Sequence, residues 1–297
     1  MDVANPVSST FKHYRQCKNP HPRFVTPRKK GSERLQTTLP FNKLLMEKAQ
    51  GLTASVDFSF RIAGARAQGL RSKAPPELRR KAIDALFQGI CFHYDFMAGR
   101  VNVTLRTLAI ECGLATEADS DSLAITRVTR ALQAVARDTH YISYSAPEVD
   151  ESLGCYMPTT ITLTPAFFAA IDVSDEAIEA HIAGRVNWLN QKRINEGKEL
   201  LPRDALMDQA KNAFPDYFRK IYRARKAHGE KQARARRDLE RSHAEIKALV
   251  HRELTFEIAH HRFPRDLALV KAEVERRIRE RMVMRRHHTR LTVPAPA

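Results

Sequence analysis

The segments PPELRRKAIDALFQGICFH (75–93), TLRTLAIECG (104–113) and SLAITRVTRALQAVAR (122–137), followed by HYISYS (140–145) and CYMPTTITL (155–163), decide how this chain is read. Pro75 and Pro76 open an amphipathic helix, with Leu78, Ala82, Ile83, Leu86, Phe87 and Ile90 at helical spacing. A short run at 100–103 leads to Thr104, placed to cap a helix over 105–112, which Gly113 ends in a left-handed C-cap. Residues 120–122 offer the next caps, and 123–137 is again helical. Ile125, Val128, Leu132 and Val135 form its buried stripe, while Thr126, Arg127, Arg130, Gln133 and Arg137 fall mostly on the opposite face. The two strand-like runs enclose an acidic, turn-rich loop at 146–154.

Helix, short strand, helix, helix, hairpin is the order of a winged helix-turn-helix. The exposed face of 123–137 is then its recognition helix, carrying side chains that suit base edges and phosphates. An ordinary solvated helix face would hold the same residues, so the rest of the chain has to decide. The expected core centres on Leu86, Ile90, Ile125, Val128 and Leu132.

Charge tips the balance. Fifty Lys and Arg against 34 Asp and Glu give a net charge of +16 over 297 residues. The excess sits at the two ends: ten basic against three acidic residues over 1–50, and 20 against ten over 223–297, with the middle close to neutral. Basic flanks of this kind neutralise phosphates and release counterions without reading sequence. Arg234, Arg236, Arg237 and Arg241 are the residues expected to do so near the C-terminus.

The chain divides into a basic extended arm (1–40) expected to order on binding, a winged-helix DNA-binding domain (41–172), a basic helical C-terminal domain (173–290) and a short tail (291–297). Helices are expected over 41–49, 56–68 and 165–170, and from Ser174 towards Asn195. Trp188, within the last of these, reads as a packing anchor. From Arg203 onward the chain is helical, with Pro215 breaking or kinking its path and 261–264 making a turn. Stripes at Ile246, Leu249, Val250, Leu254 and Ile258 and at Leu267, Val270, Val274, Ile278 and Met282 predict an antiparallel helical hairpin. A second winged helix and a plain bundle both remain open for this half. The fold class is mainly α, with a winged-helix core and a small β wing.

Catalytic signatures are missing. The glycines of Gly64 and Gly69 lack the spacing and the Lys-Ser/Thr of a phosphate loop. No two histidines are separated by a single residue, which removes the metal pair of nicking initiators. The adjacent pairs His260-His261 and His287-His288 point to different faces, and Glu253, Glu257 and His260 read as solvated helix surface. Cys17, Cys91, Cys112 and Cys155 have no paired spacing, which fits a reducing bacterial cytoplasm. No apolar run spans a bilayer and no signal peptide opens the chain. The expectation is a binding protein with no catalytic residue, no metal and no cofactor.

Several strings then match a known pattern. AIDALFQGICFHYDFMAGRV (82–101), TLAIECGLAT (107–116), ITRVTRAL (125–132) and GCYMPTTITLTPAFFAAIDVS (154–174) strongly resemble the IncFII-type plasmid replication initiators, the RepA family. YRQCKNPHPRF (14–24), KQARARRDLER (231–241) and VERRIRERM (274–282) resemble it too, so the likeness spans nearly the whole chain. Residues 31–40 and 117–121 fall outside it. The resemblance implies a protein that binds the double-stranded origin DNA of its own plasmid. It would help to open that duplex and bring in host replication proteins, the initiator and helicase machinery; an oligomer on DNA is compatible with this. A winged-helix transcriptional repressor is the alternative, although neither a ligand pocket nor a clear dimerisation helix is evident for it.

Overall fold

In the computed structural model of the chain, residues 22–29, 31–117 and 123–292 are described, with side chains through residue 283. The caps expected at 120–122, Cys17, the greater part of the 14–24 motif and the end of the tail lie outside the described residues. The fold is mainly helical with short two-stranded sheets, and contacts divide it into two compact units, Met1–Phe218 and Arg219–Ala297.

The first unit is built around α3 (Glu77–His93). Pro76, extended at φ −65° and ψ 161°, holds the chain out of helical conformation until Glu77. Amphipathic at its start, the helix is buried on nearly every side in its second half, at Ala85, Leu86, Phe87, Gly89, Ile90, Cys91 and Phe92. Such a helix can only be central. Against it pack α1 (Pro40–Lys48), α4 (Leu105–Glu111) and α5 (Thr126–Asp138), while α2 (Val56–Ala67) rests on α5. Gly89 marks the closest approach: a Cβ there would lie 2.8 Å from Cys112 Sγ and 3.1 Å from Leu108 Cδ2 of the α4 segment.

Polar side chains finish the helix ends. Asn42 of α1 donates to the carbonyls of Cys91 (2.7 Å) and Tyr94 (2.8 Å), and Thr38 donates to that of Phe92 (2.8 Å), supplying partners that the last turn of α3 lacks. The chain then turns back through β1 (Tyr94–Asp95) and β2 (Arg100–Val101) into Thr104, whose hydroxyl accepts from Thr107 N and caps α4 as expected. Gly113, at φ 64°, closes that helix in the left-handed region.

Two expectations change here. Leu123 and Ala124 are not helical: they form β4 (Leu123–Ala124), antiparallel to β3 (Thr116–Glu117), so α5 begins only at Thr126. Ile125 consequently sits at the N-cap, partly buried, and the buried stripe is Val128, Ala131, Leu132 and Val135. Nor is 146–154 all loop. β5 (Ile142–Tyr144) pairs with β8 (Ile161–Leu163), and beyond a break β6 (Val149–Asp150) pairs with β7 (Cys155–Tyr156). Pro147 and Pro158 lie in the two arms of that break, where neither can donate to a ladder.

The arm also differs from a free extension over its described part. Arg23 and Val25 donate backbone N–H groups to the carbonyls of Cys112 and Glu111, and Phe24 packs on Phe92 at 5.4 Å. The apolar ring and the unpaired carbonyls at the end of α4 together hold this stretch in place.

After the hairpin come α6 (Pro165–Ala170), α7 (Asp175–Asn195), capped by Ser174, and α8 (Arg203–Leu239). α8 is not broken at Pro215. Proline forfeits one i→i−4 bond but keeps a helical φ, and the helix continues around it. In the second unit, α9 (His243–Ala259) starts from a capping box made by Ser242 and Glu245. It packs on α10 (Leu267–Thr292) through Val250, Leu254 and Val274, with Ile258, Val270 and Ile278 beside them. The pairs Arg277–Glu257 and Arg281–Glu253 run in opposite order along the two helices, so the hairpin is antiparallel. The seam is shorter than the apolar stripe, since Leu267 is 70% exposed.

Candidate nucleic-acid interface

The α5 helix presents one face to the core and another to solvent. Val128, Leu132 and Val135 are at most 1% exposed. Thr126, Arg130, Gln133 and Arg137 are exposed, and their spacing of four, three and four residues puts them in a single ridge along the helix. Arg127 is half-buried at the edge of that ridge. All five residues singled out on this helix thus come together on or beside one face.

Two further arginines join them from elsewhere in the chain. Arg79, in the first turns of α3, is half-buried; loss of hydration lowers its pKa first, and the neighbouring positive charges of Arg130 and Arg71 lower it further. Like charges are therefore gathered at this surface from α3, α5 and the segment between α2 and α3. No sequence signal marked Arg71 or Arg79, which lie more than 50 residues before Arg130.

Asp138 anchors part of this cluster. Its side chain is 1% exposed and accepts from Arg71 Nη1 at 2.8 Å and from Arg137 Nε at 2.7 Å. Arg137 remains 57% exposed despite this pair, with its pKa raised by the hydrogen bond and charge of Asp138. A buried carboxylate of this kind fixes where two guanidinium groups point. Next to it, Tyr141 donates to Asp57 of α2, and Arg61 binds both Asp57 (2.8 Å) and the carbonyl of Thr139 (3.1 Å). The end of α5 is thereby tied to α2, and burial together with the Asp57 charge raises the Tyr141 pKa.

The hairpin beyond α5 exposes Tyr144, Val149 and Tyr156. Its tip is acidic, with Glu148, Asp150 and Glu151, and Asp150 accepts from the Ser152 backbone in a local turn.

In the second unit the four predicted phosphate contacts differ from one another. Arg234, Arg236 and Arg237 are exposed on α8. Arg241 instead donates to Asp238, a buried carboxylate that also faces Arg281 at 3.7 Å. The carboxylates read as helix surface are ion-paired: Glu253 with Arg281, and Glu257 with both Nη atoms of Arg277 at 2.8 Å. Hydrogen bonds from Arg276 and Arg277 hold Glu273 at about 2.

Trp188 departs from the packing role expected of it, being 52% exposed on α7. Burial raises the pKa of the Cys91 and Cys112 thiols, which keeps both uncharged inside the core. Among the described residues, no group of three or more His, Cys, Asp and Glu is placed to hold a metal ion, and no helix is long and apolar enough to cross a membrane.

The chain matches the IncFII RepA protein family over residues 12–286. A replication initiation protein of Escherichia coli is 48% identical over 286 residues, covering 96% of this chain and 98% of that protein. Two probable replication-associated proteins named repA1, from Buchnera aphidicola of Schizaphis graminum and of Acyrthosiphon pisum, are each 29% identical over 121 residues, 41% of this chain and 42% of theirs. No solved structure gives a significant match. With a family match over most of its length and a relative aligned nearly end to end, the chain belongs to the IncFII RepA protein family of replication initiation proteins.

Proposed function

We propose that this plasmid replication initiator works by docking α5 into the major groove of its own plasmid origin. As a member of this family it acts by binding and not by catalysis. Residues 75–165 then form a winged helix-turn-helix, with α4 and α5 as its two helices and β5–β8 as its wing. The observation that carries the reading is the solvent-facing ridge of Thr126, Arg130, Gln133 and Arg137, backed by a fully buried stripe. A helix held by its apolar face and offering Arg and Gln outward can reach base edges, while Arg71 and Arg79 flank it where the duplex backbone would run. The unrelieved like charge at Arg79 is what a phosphate would neutralise.

The exposed arginines Arg234, Arg236 and Arg237 add affinity that does not depend on sequence, together with Arg241 if its pair with Asp238 opens. Domains are proposed at 41–172 for origin reading and 173–290 for the basic helical region. Origin opening and recruitment of host initiator and helicase proteins complete the proposal, and the family assignment supports both. The test is a plasmid carrying a marker and the DNA next to this gene, introduced into cells with the gene intact, deleted, or altered to Arg127→Ala with Arg130→Ala. Stable replication only with the intact gene supports an origin-reading initiator. Replication with the doubly altered gene at the wild-type copy number would remove α5 from the account.

A further inference from the structure

We infer that α7 carries a second nucleic-acid site, one that binds unpaired DNA by stacking on Trp188. The inference extends the reading of the protein as an initiator, since unpaired strands arise at an origin only once the duplex has opened. It uses a surface remote in sequence from α5.

Trp188 is half-exposed, an arrangement that leaves a large apolar ring in water. Arg185 and Lys192, three residues before it and four after it, lie over the ring at 4.2 Å and 5.9 Å from its centroid. That spacing puts cation, ring and cation on one helical stripe, so the two charges hold the indole in a fixed orientation. Asn187, Gln191 and Asn195, all exposed, lie alongside. Between Glu179 and Glu196 the helix has no carboxylate, although its first turn is acidic and Glu196, just past its end, faces Lys192 at 3.8 Å.

A lone exposed tryptophan needs no explanation. Here the surroundings match one kind of ligand in two respects. Arg185, with no carboxylate on it among the described residues, and Lys192, held only loosely by Glu196, call for a polyanion. The part of the half-exposed ring that Arg185 leaves open calls for a flat apolar face to cover it. Unpaired nucleotides offer both, whereas the bases of a duplex are already covered by their neighbours and can offer only phosphates. An acidic peptide would satisfy the cations and leave the ring uncovered.

Trp188 is the chain's single tryptophan, so the emission of the intact protein reports on this site alone. Titration with a short oligothymidylate should quench that emission to saturation, and a random duplex should leave it nearly unchanged. With a dye-labelled oligothymidylate followed by anisotropy, Trp188→Ala should weaken binding about tenfold, as expected for one lost stacked base, and Trp188→Phe should restore most of it. Arg185→Gln with Lys192→Gln should lower the slope of log K against log[salt] by about 1.4. Binding of origin duplex by Trp188→Ala should be as in the wild type, which separates failure of this inference from failure of the α5 reading. The inference is overturned if oligothymidylate leaves the emission unchanged and Trp188→Ala binds it normally. Equal quenching by duplex overturns it in favour of a backbone contact, and quenching by polyglutamate alone overturns it in favour of an acidic protein partner.

Discussion

Replacing Leu132 and Arg130 one at a time tests which face of α5 meets DNA, and the structure sets the size of each effect. Leu132 is 1% exposed and belongs to the main core cluster with Leu86, Ile90 and Val128. Truncation of so buried a leucine to alanine costs about 2–5 kcal/mol. In a unit of this size each kcal/mol lowers the melting temperature by roughly 2–4 °C, so Leu132→Ala should melt about 4–20 °C below wild type. It should also weaken origin binding, because the residue sets the angle at which Arg127 and Arg130 are presented. Arg130 is exposed, and a surface substitution there changes stability by about 0.5 kcal/mol or less. Loss of a bidentate base contact, in contrast, costs about 1–3 kcal/mol of binding. Arg130→Ala should therefore bind origin DNA about 5–150-fold more weakly while melting like wild type. Circular-dichroism melts beside a gel-shift titration measure both quantities. If Leu132→Ala melts like wild type and Arg130→Ala unfolds, the wrong face has been given to DNA.

Three further outcomes follow from the geometry. Gly89→Ala forces a Cβ to within 2.8 Å of Cys112 Sγ; the clash of about 1–3 kcal/mol outweighs the roughly 1 kcal/mol gained in helix propensity, and adding Cys112→Ala should recover part of the lost melting temperature. Asp138→Asn removes a buried acceptor shared by Arg71 and Arg137 and should cost about 1.5–3 kcal/mol, yet affinity for random duplex should hold or rise as the two guanidinium groups are released; a wild-type melting temperature would contradict this. Glu273 and Glu257 titrate below the usual carboxylate range, chiefly through hydrogen bonds from Arg276 and Arg277, and from Arg277. The contribution of each is present above the unfolded pKa near 4.3 and lost as pH falls through its lowered native pKa, which for Glu273 is about 2. The protection factors of amides in α9 and α10, taken relative to intrinsic exchange at each pH, should therefore fall over that interval, and less steeply in Glu273→Gln.

What the sequence revealed and what it hid have physical causes. Helical periodicity, Thr104, Gly113 and Ser174 act within one turn of the chain, and the elements they mark are where they were expected. α5 starts later than its periodicity suggests because Leu123 and Ala124 answer to a partner strand six or more residues away, which no local pattern records. The second rung of the hairpin is hidden for a similar reason: Val149 favours a strand, but it stands alone among residues that do not, Pro147, Glu148, Asp150 and Glu151, and its partner Tyr156 lies across the turn. Arg71, Arg79 and Asp138 escaped because their association is tertiary, bringing the α2–α3 segment and the start of α3 beside α5. Residue type alone suggests a packed Trp188; its exposure depends on which face of α7 the core covers.

The most direct test of the central claim is a titration of origin duplex and random duplex, at one fixed salt concentration, with wild-type protein and with the Arg127→Ala, Arg130→Ala double variant. If α5 reads the origin, the double variant loses at least tenfold in affinity for the origin while its affinity for random duplex changes far less. Equal affinity of the two proteins for the origin would contradict the account.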